Sequence, residues 1–303
     1  MELSTKVNLS GLILDNPVIP ASGAFGFGEE FSELYDINIY GSISFKGTTK
    51  EARLGNPLPR IAECPSGMLN SVGLQNPGVD YVINFELKNM EKYYNKLVIA
   101  NISGFSIDEY VYLAEKMDEV DNVGIIEVNI SCPNVKNGGM SFGTSEYDAA
   151  LVTEKVKSVC KKPVYMKLSP NVTDIAAIAV ACEKAGADGI SLINTLLGMR
   201  IDIKSRKPVL ANKYGGLSGP AIMPVALCMV NQVYHAVKIP IIGMGGISSA
   251  NDVIEFIMAG ATAVQIGAAN LVNPFLGKQI IDDLPNVMGS LNITNLDDIR
   301  GII

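Results

Sequence analysis

Eight short apolar runs, spaced along the chain and separated by amphipathic stretches, constrain the fold more than any other feature. They are PVIPAS (17–22), SISFKG (42–47), LVIANIS (97–103), IIEVNIS (125–131), PVYMKLS (163–169), GISLINT (189–195), PIIGMGG (240–246) and AVQIGAA (263–269). Most are continuously apolar instead of alternating, the pattern of parallel strands covered on both faces. The stretches between them have helical periodicity. In SIDEYVYLAEKMDEV, Ile107, Val111, Ala114 and Met117 fall near one face. In NVTDIAAIAVACEKAGADG, Ile175, Ile178, Ala179 and Cys182 form a stripe, with Thr173 the expected N-cap and Gly186 the expected stop.

Strand and helix repeated eight times, without a linker-like break, predict a (β/α)8 TIM barrel that takes up residues 1–303 as a single domain. Such barrels commonly reach about 250 residues as one unit, so length does not require a second domain. The opening KVNLSGLILDN alternates around Ser10 and Gly11 and predicts a hairpin under the barrel floor. Two insertions, near 51–77 and 198–220, follow the second and sixth runs. Both emerge on the face where barrels carry their active sites.

The run ends are unusually polar. They hold Ser22 with Gly23, Lys46 with Gly47, Asn101, Asn129 with Cys132 and Asn134, Lys167, Asn194 with Thr195, Gly245 with Gly246, and Gly267 with Ala268. Amide side chains, two lysines and a thiol converging on one mouth point to a polar ligand read by hydrogen-bond donors and acceptors. In GMGGISSANDV a glycine turn runs into a helix whose Ser249 and Asp252 fit a capping box. With IGAAN after the last run, this forms the loop pair where barrels commonly bind phosphate. A sugar phosphate and a flavin mononucleotide both satisfy that pattern. Lys167 fits either, as the Schiff-base amine of a lyase or as positive charge beside a reducible flavin ring.

Composition excludes several other classes. A net charge of -7 disfavours a broad polyanion surface, so nucleic acid is not an expected partner. MELSTKVNLSGLILDNP lacks the basic and apolar regions of a signal peptide, and no run approaches the roughly 18 apolar residues of a membrane span. The expectation is a cytoplasmic protein that meets no membrane. The five cysteines, Cys64, Cys132, Cys160, Cys182 and Cys228, include no C-x-x-C pair, so no metal or cluster site is expected in this chain. Cys182, Cys160 and Cys228 read as helix core, and Cys64 receives no role. The single histidine, His235, reads as a helix-end residue without chemistry, which leaves acid–base work to another group.

NPVIPASGAFGFGEEF, KGTT, GNPLPRIAECPSGMLNSVGLQNPG, NISCPNV, KLSPN, NKYGGLSGP and GMGGI occur in the order and spacing of the dihydroorotate dehydrogenases, which the chain resembles over essentially its whole length. The KGTT and PSGMLNSVGLQNPG forms resemble the NAD-linked two-subunit class (class 1B) more than the single-chain fumarate-using class. The resemblance implies FMN-dependent oxidation of (S)-dihydroorotate to orotate in pyrimidine (UMP) synthesis. It implies Cys132 as the base that takes the C5 proton while hydride leaves C6 for flavin N5. Asn70, Asn129, Asn134, Asn194, Thr195 and the backbone of Gly73 and Leu74 would hold orotate, with Lys46 near both substrate and flavin. Ser22, Lys46, Gly47, Asn101, Asn129, Lys167, Gly216, Ser218, Gly245, Gly246, Gly267 and Ala268 would bind FMN. A partner follows as well: an electron-transfer subunit carrying FAD and a [2Fe-2S] cluster, two of them with a homodimer of this chain.

The chemistry agrees with that assignment. A C–H beside a carbonyl needs a base held at contact distance, and its developing charge needs fixed donors. A thiol, with an ordinary pKa of about 8.5, is nearer to working pH than a serine hydroxyl. Two alternatives share the barrel: another pyrimidine-reducing flavoenzyme, and a Schiff-base lyase built on Lys167. An RNA-modifying flavin barrel would call for a basic surface, which this acidic chain lacks.

Overall fold

The computed structural model describes residues 3–131 and 142–303. The chain opens with an antiparallel hairpin, β1 (Val7–Leu9) and β2 (Leu12–Leu14), in which Leu9 faces Leu12. Ser10 and Gly11 both adopt positive φ, as a two-residue turn of the I′ kind requires. The hairpin seals one end of the barrel. Ser10 Oγ donates to the carbonyl of Asp188 at 2.8 Å and lies 3.0 Å from the Tyr165 hydroxyl. Gly189 makes room for that tyrosine, since a Cβ there would sit 2.1 Å from its ring.

Next come β3 (Val18–Pro20) and then the first insertion, with β4 (Ile61–Cys64) and β5 (Gly67–Asn70). They are followed by β6 (Val98–Ile102), β7 (Val123–Asn129), β8 (Val164–Lys167) and β9 (Gly189–Leu192). The second insertion contributes β10 (Leu196–Gly198), β11 (Ile201–Asp202), β12 (Lys207–Pro208) and β13 (Gly215–Ser218). The chain finishes its sheet with β14 (Ile241–Met244) and β15 (Ala263–Ile266). Seven of these strands form one parallel sheet in the order β3-β15-β14-β9-β8-β7-β6.

The second apolar run, 42–47, is not a strand, which corrects the expectation of eight. It fills the seam between β3 and β6 all the same. Gly41 and Ser44 donate to the carbonyls of Val18 and Pro20, and Ile99 donates to Ile43 while Phe45 donates back to Ile99. A regular ladder is denied on the β3 side because Pro20 has no N–H to give and the Val18 N–H goes to Asn16 Oδ1. The curled sheet is thus closed by hydrogen bonds on both of its edges.

Helices flank the sheet. In the helix Ile107–Asp118 the buried residues are Tyr110, Leu113, Ala114 and Met117, so the stripe is rotated from the expected one: Ile107 and Val111 lie at its margin. Tyr110 turns inward because its hydroxyl donates to the carbonyl of Asn129 at 2.8 Å. The helix Ile175–Lys184 buries Ile175, Ile178, Ala179 and Cys182 as expected, but its N-cap is Asp174, not Thr173. The Asp174 carboxylate accepts from the backbone of Ala177, and Gly186 ends the helix at φ +99°. Ser249 caps the helix Ala250–Met258, and Asp252 accepts from the backbone of Ser248 at 2.7 Å. Among the described residues, no helix is long and apolar enough to cross a membrane.

The two insertions build one structure. Strands β4 and β5 from the first and β10 and β13 from the second form a four-stranded antiparallel sheet in the order β10-β13-β5-β4. Gly216 faces both Asn70 and Leu197 across that sheet. It lies over the C-terminal strand ends as a roof.

Candidate active site

A cleft opens between that roof and the strand ends. Ser22, Lys46, Gly47 and Asn101 form one wall, and Asn129 and Lys167 the floor. Asn194 and Thr195 stand opposite, Asn70, Gly73, Leu74 and Ser218 come from the roof side, and Gly245, Gly246, Gly267 and Ala268 close the far end. Gly216 is not in the lining. It lies behind Thr195, whose Oγ1 would be 2.0 Å from a Cβ there, so its contribution is to let the roof strand pass. Cys132 and Asn134 fall outside the described residues.

The floor is organised by a residue that the sequence reading did not single out. Glu127 is fully buried in β7, and its Oε2 accepts from Asn101 Nδ2 at 2.6 Å and Ser44 Oγ at 3.2 Å. Its Oε1 accepts from Gln265 Nε2 at 2.8 Å, and Lys167 Nζ lies 3.7 Å from Oε2. Burial by itself pushes the carboxyl up. The charge of Lys167 and the hydrogen bonds from Asn101 and Gln265 outweigh burial and hold it below the usual carboxylate range. With its nitrogen engaged by Glu127, Asn101 carries its oxygen toward Gly47, where a Cβ would approach it to 2.8 Å.

Beside this, Asn194 Nδ2 donates to Ser131 Oγ at 2.6 Å, and Ser131 Oγ donates to Asn129 Oδ1 at 2.7 Å. The backbone of Ser131 donates to the same oxygen at 3.2 Å. With its oxygen taken twice, Asn129 has its NH2 end to offer the cleft. Asn171 braces the opposite wall, donating to the carbonyl of Thr195 at 3.0 Å and accepting from the backbone of Leu197 at 2.8 Å. Ser131 and Asn171 lie inside the NISCPNV and KLSPN motifs, which were the available signal for them.

On the roof side Gly73 and Leu74 both have positive φ, +79° and +57°. A leucine there is strained backbone, of the kind that persists only where its surroundings over-determine it. Asn76 supplies much of that hold. Its Nδ2 donates to the Leu74 carbonyl at 2.7 Å and to Thr49 Oγ1 at 2.8 Å, and its Oδ1 accepts from the backbone of Thr49 and Gly78. The KGTT and LQNPG motifs are therefore one buried joint.

The far end suits the phosphate and ring of a flavin mononucleotide. Gly245 and Gly246 turn with φ of +135° and +82° ahead of the capped helix. At Gly267 a Cβ would meet only Ala21, at 3.9 Å, so no protein atom accounts for a glycine at that point on the cleft lining. Two ammonium groups, Lys46 and Lys167, with several amides match a phosphorylated, hydrogen-bonding ligand. Lys46 Nζ sits near Gly23, 3.8 Å from where a Cβ would be.

Of the remaining cysteines, Cys160 and Cys182 are buried, and burial pushes both thiols up to about 12. Cys228 is exposed on its helix, which corrects the core reading; Cys160 lies past a helix end instead of within one. His235 is in the last turn of the helix Met223–Ala236, its Nδ1 2.9 Å from the Asn231 carbonyl.

A sequence profile described as dihydroorotate dehydrogenase matches residues 4–288. A "Dihydroorotate dehydrogenase B (NAD(+)), catalytic subunit" from Malacoplasma penetrans is 59% identical over 296 residues, covering 98% of this chain and 96% of its own. One of the same name from Bacillus pumilus is 55% identical, covering 98% and 95%. A crystal structure of DHODH in complex with ferulenol from Eimeria tenella superposes with a TM-score of 0.80, at 22% identity, over 98% of this chain and 88% of that one.

Proposed function

The chain belongs to the dihydroorotate dehydrogenase family, and from that premise we propose that its cleft oxidises (S)-dihydroorotate to orotate in pyrimidine synthesis. The full-length relatives carry NAD(+)-linked names, which favours NAD over fumarate as the final acceptor. The family implies a flavin cofactor; we read it as FMN, held by one domain spanning 1–303. When bound, FMN supplies the acceptor for the hydride that leaves the substrate.

The chain's own residues do the rest. Cys132 takes the proton from C5 of the substrate. Asn129 and Asn194, tied through Ser131, are set to meet the substrate's polar edge, joined by Asn70, Asn134, Thr195 and the backbone of Gly73 and Leu74. These groups orient the ring without adding net charge. Lys46, on the cleft wall, would lie near both substrate and cofactor. Ser22, Gly47, Asn101, Lys167, Ser218, Gly245, Gly246, Gly267 and Ala268 hold FMN, with Gly216 giving the roof strand its clearance.

"Catalytic subunit" in the relatives' names supports a partner that carries electrons onward. We assign that partner FAD and a [2Fe-2S] cluster, two copies joining a homodimer of this chain in a cytoplasmic heterotetramer. An odd cysteine count without a C-x-x-C pair suits a reducing compartment and leaves the cluster to the partner.

The carrying observation is the convergence of Lys46, Lys167 and the Asn129–Ser131–Asn194 chain on one roofed cleft. A Schiff base begins from a neutral amine, and Lys167 instead sits in an ion pair with Glu127. The test is product formation. The flavin-loaded chain, mixed with dihydroorotate and a dye acceptor without oxygen, should release orotate, read by its ultraviolet absorbance. No orotate above a flavin-only control would refute the reading.

A further inference from the structure

Glu127 is a charged group that lines no cleft, yet it is bonded to residues that do. Its carboxylate is wholly enclosed, and five side chains from five different parts of the barrel wall surround it: Ser44, Asn101, Lys167, Ser191 and Gln265. Two of them, Asn101 and Lys167, line the cleft. A buried carboxylate is expensive to keep charged, and an apolar residue in its place would spare that cost. Its location beneath two cleft residues needs a reason beyond packing.

We propose that Glu127 is a positioning residue for the redox reaction: a buried counter-charge that fixes Asn101 and Lys167 at the cleft floor and sets how strongly Lys167 favours the reduced cofactor. The inference rests on the flavin reading above. Lys167 Nζ and Glu127 Oε2 lie 3.7 Å apart with little water near either, since their side chains are 6% and 0% exposed. At that burial the field of the lysine is not screened by solvent, and the glutamate opposes it at nearly every point in the cleft. A bound group that gains electrons therefore meets a nearly neutral pair instead of a lone cation. The carboxylate limits the pull that Lys167 alone would exert, keeping the reduced cofactor able to pass its electrons on.

The surroundings permit a clean removal of this charge. Glu127→Gln keeps an oxygen for Asn101 and Lys167 if its new NH2 turns toward Gln265. Gln265 Oε1 is buried without a hydrogen-bond partner among the described residues, so a half-turn of that amide would present an acceptor to the new donor. The hydrogen-bond frame survives while the negative charge does not.

The experiment is the midpoint potential of the bound flavin in wild type and Glu127→Gln, by equilibration with a reference dye without oxygen and with FMN added to saturation. The expected result is a more positive potential in the variant, by at least about 30 mV, which is a tenfold change in the reduced-to-oxidised ratio of a two-electron couple. An unchanged or more negative potential in a folded, flavin-loaded variant overturns the proposal. A residue that only supports the fold would not move the potential. If Glu127→Gln does not fold, Glu127→Gln/Lys167→Met decides the matter by circular dichroism. A folded double variant supports the counter-charge role, because no lone buried cation remains; an unfolded one overturns it. Wild type that takes up no flavin defeats the functional reading, and this inference with it, before any variant is compared.

Discussion

Asn194 donates to Ser131 across 2.6 Å, tying the end of β9 to the residue that immediately precedes Cys132. Ser131 passes the connection to Asn129 at 2.7 Å. Two expected substrate amides are thereby held relative to each other by a hydroxyl that is itself buried. Fixed amides at fixed separation are what a planar heterocycle with alternating donors and acceptors requires.

Ser131→Ala therefore has a defined consequence. It leaves the Asn194 donor and one interaction of Asn129 Oδ1 unmet, a penalty of about 1–3 kcal/mol, or roughly 5- to 150-fold in orotate affinity. Flavin content should not change. Titration of the flavin spectrum with orotate checks it, and an affinity equal to wild type would remove this chain of bonds from substrate binding.

Cys132→Ser should retain flavin but be reduced by dihydroorotate about 10²–10⁴ times more slowly at neutral pH, the usual contribution of a positioned base. Because a hydroxyl loses its proton far less readily than a thiol, the deficit should narrow as pH rises. Rapid mixing without oxygen measures both features.

Gly267→Ala separates the protein's needs from those of its cofactor. Its new methyl would meet only Ala21, at 3.9 Å. The flavin-free variant should melt within about 1 kcal/mol of the flavin-free wild type, as surface-lining changes usually do. Flavin retention should fall. Equal retention would place the cofactor away from Gly267.

The carboxyl of Glu127 is held below its ordinary value of 4.5. Its ionised form thus contributes stability that is fully present above that ordinary value and is lost as pH falls through the depressed one. Glu127→Gln removes this contribution. The gap in melting temperature between wild type and variant should be widest near neutrality and close as the pH is taken down below 4.5. A gap that does not change with pH would assign the difference to packing alone.

Much of this architecture is legible in the sequence because continuous apolar runs and capped, periodic helices are local signals. The run 42–47 is the exception. Its strand character depends on a partner, β3, in which Pro20 has no N–H to donate and Val18 gives its own to Asn16, and that lies beyond a reading of the run itself. Tyr110 shifts its helix stripe for a similar reason, its hydroxyl being claimed by the Asn129 carbonyl. The polar strand ends mark the mouth correctly in the sense that, Gly216 aside, every described residue expected there lines one cleft. Glu127 stayed hidden because a single acid inside IIEVNIS resembles an interruption, and its five surrounding side chains come from distant segments. The pairing of β5 with β13 was equally out of reach, since Gly-rich strands far apart in sequence leave no periodic trace of their register.

The measurement that bears most directly on the account is the visible spectrum of the FMN-saturated chain without oxygen, recorded before and after one equivalent of dihydroorotate. A yellow protein that bleaches on addition is the predicted result. A chain that stays colourless after removal of free FMN, or a yellow one that dihydroorotate does not bleach, would contradict it.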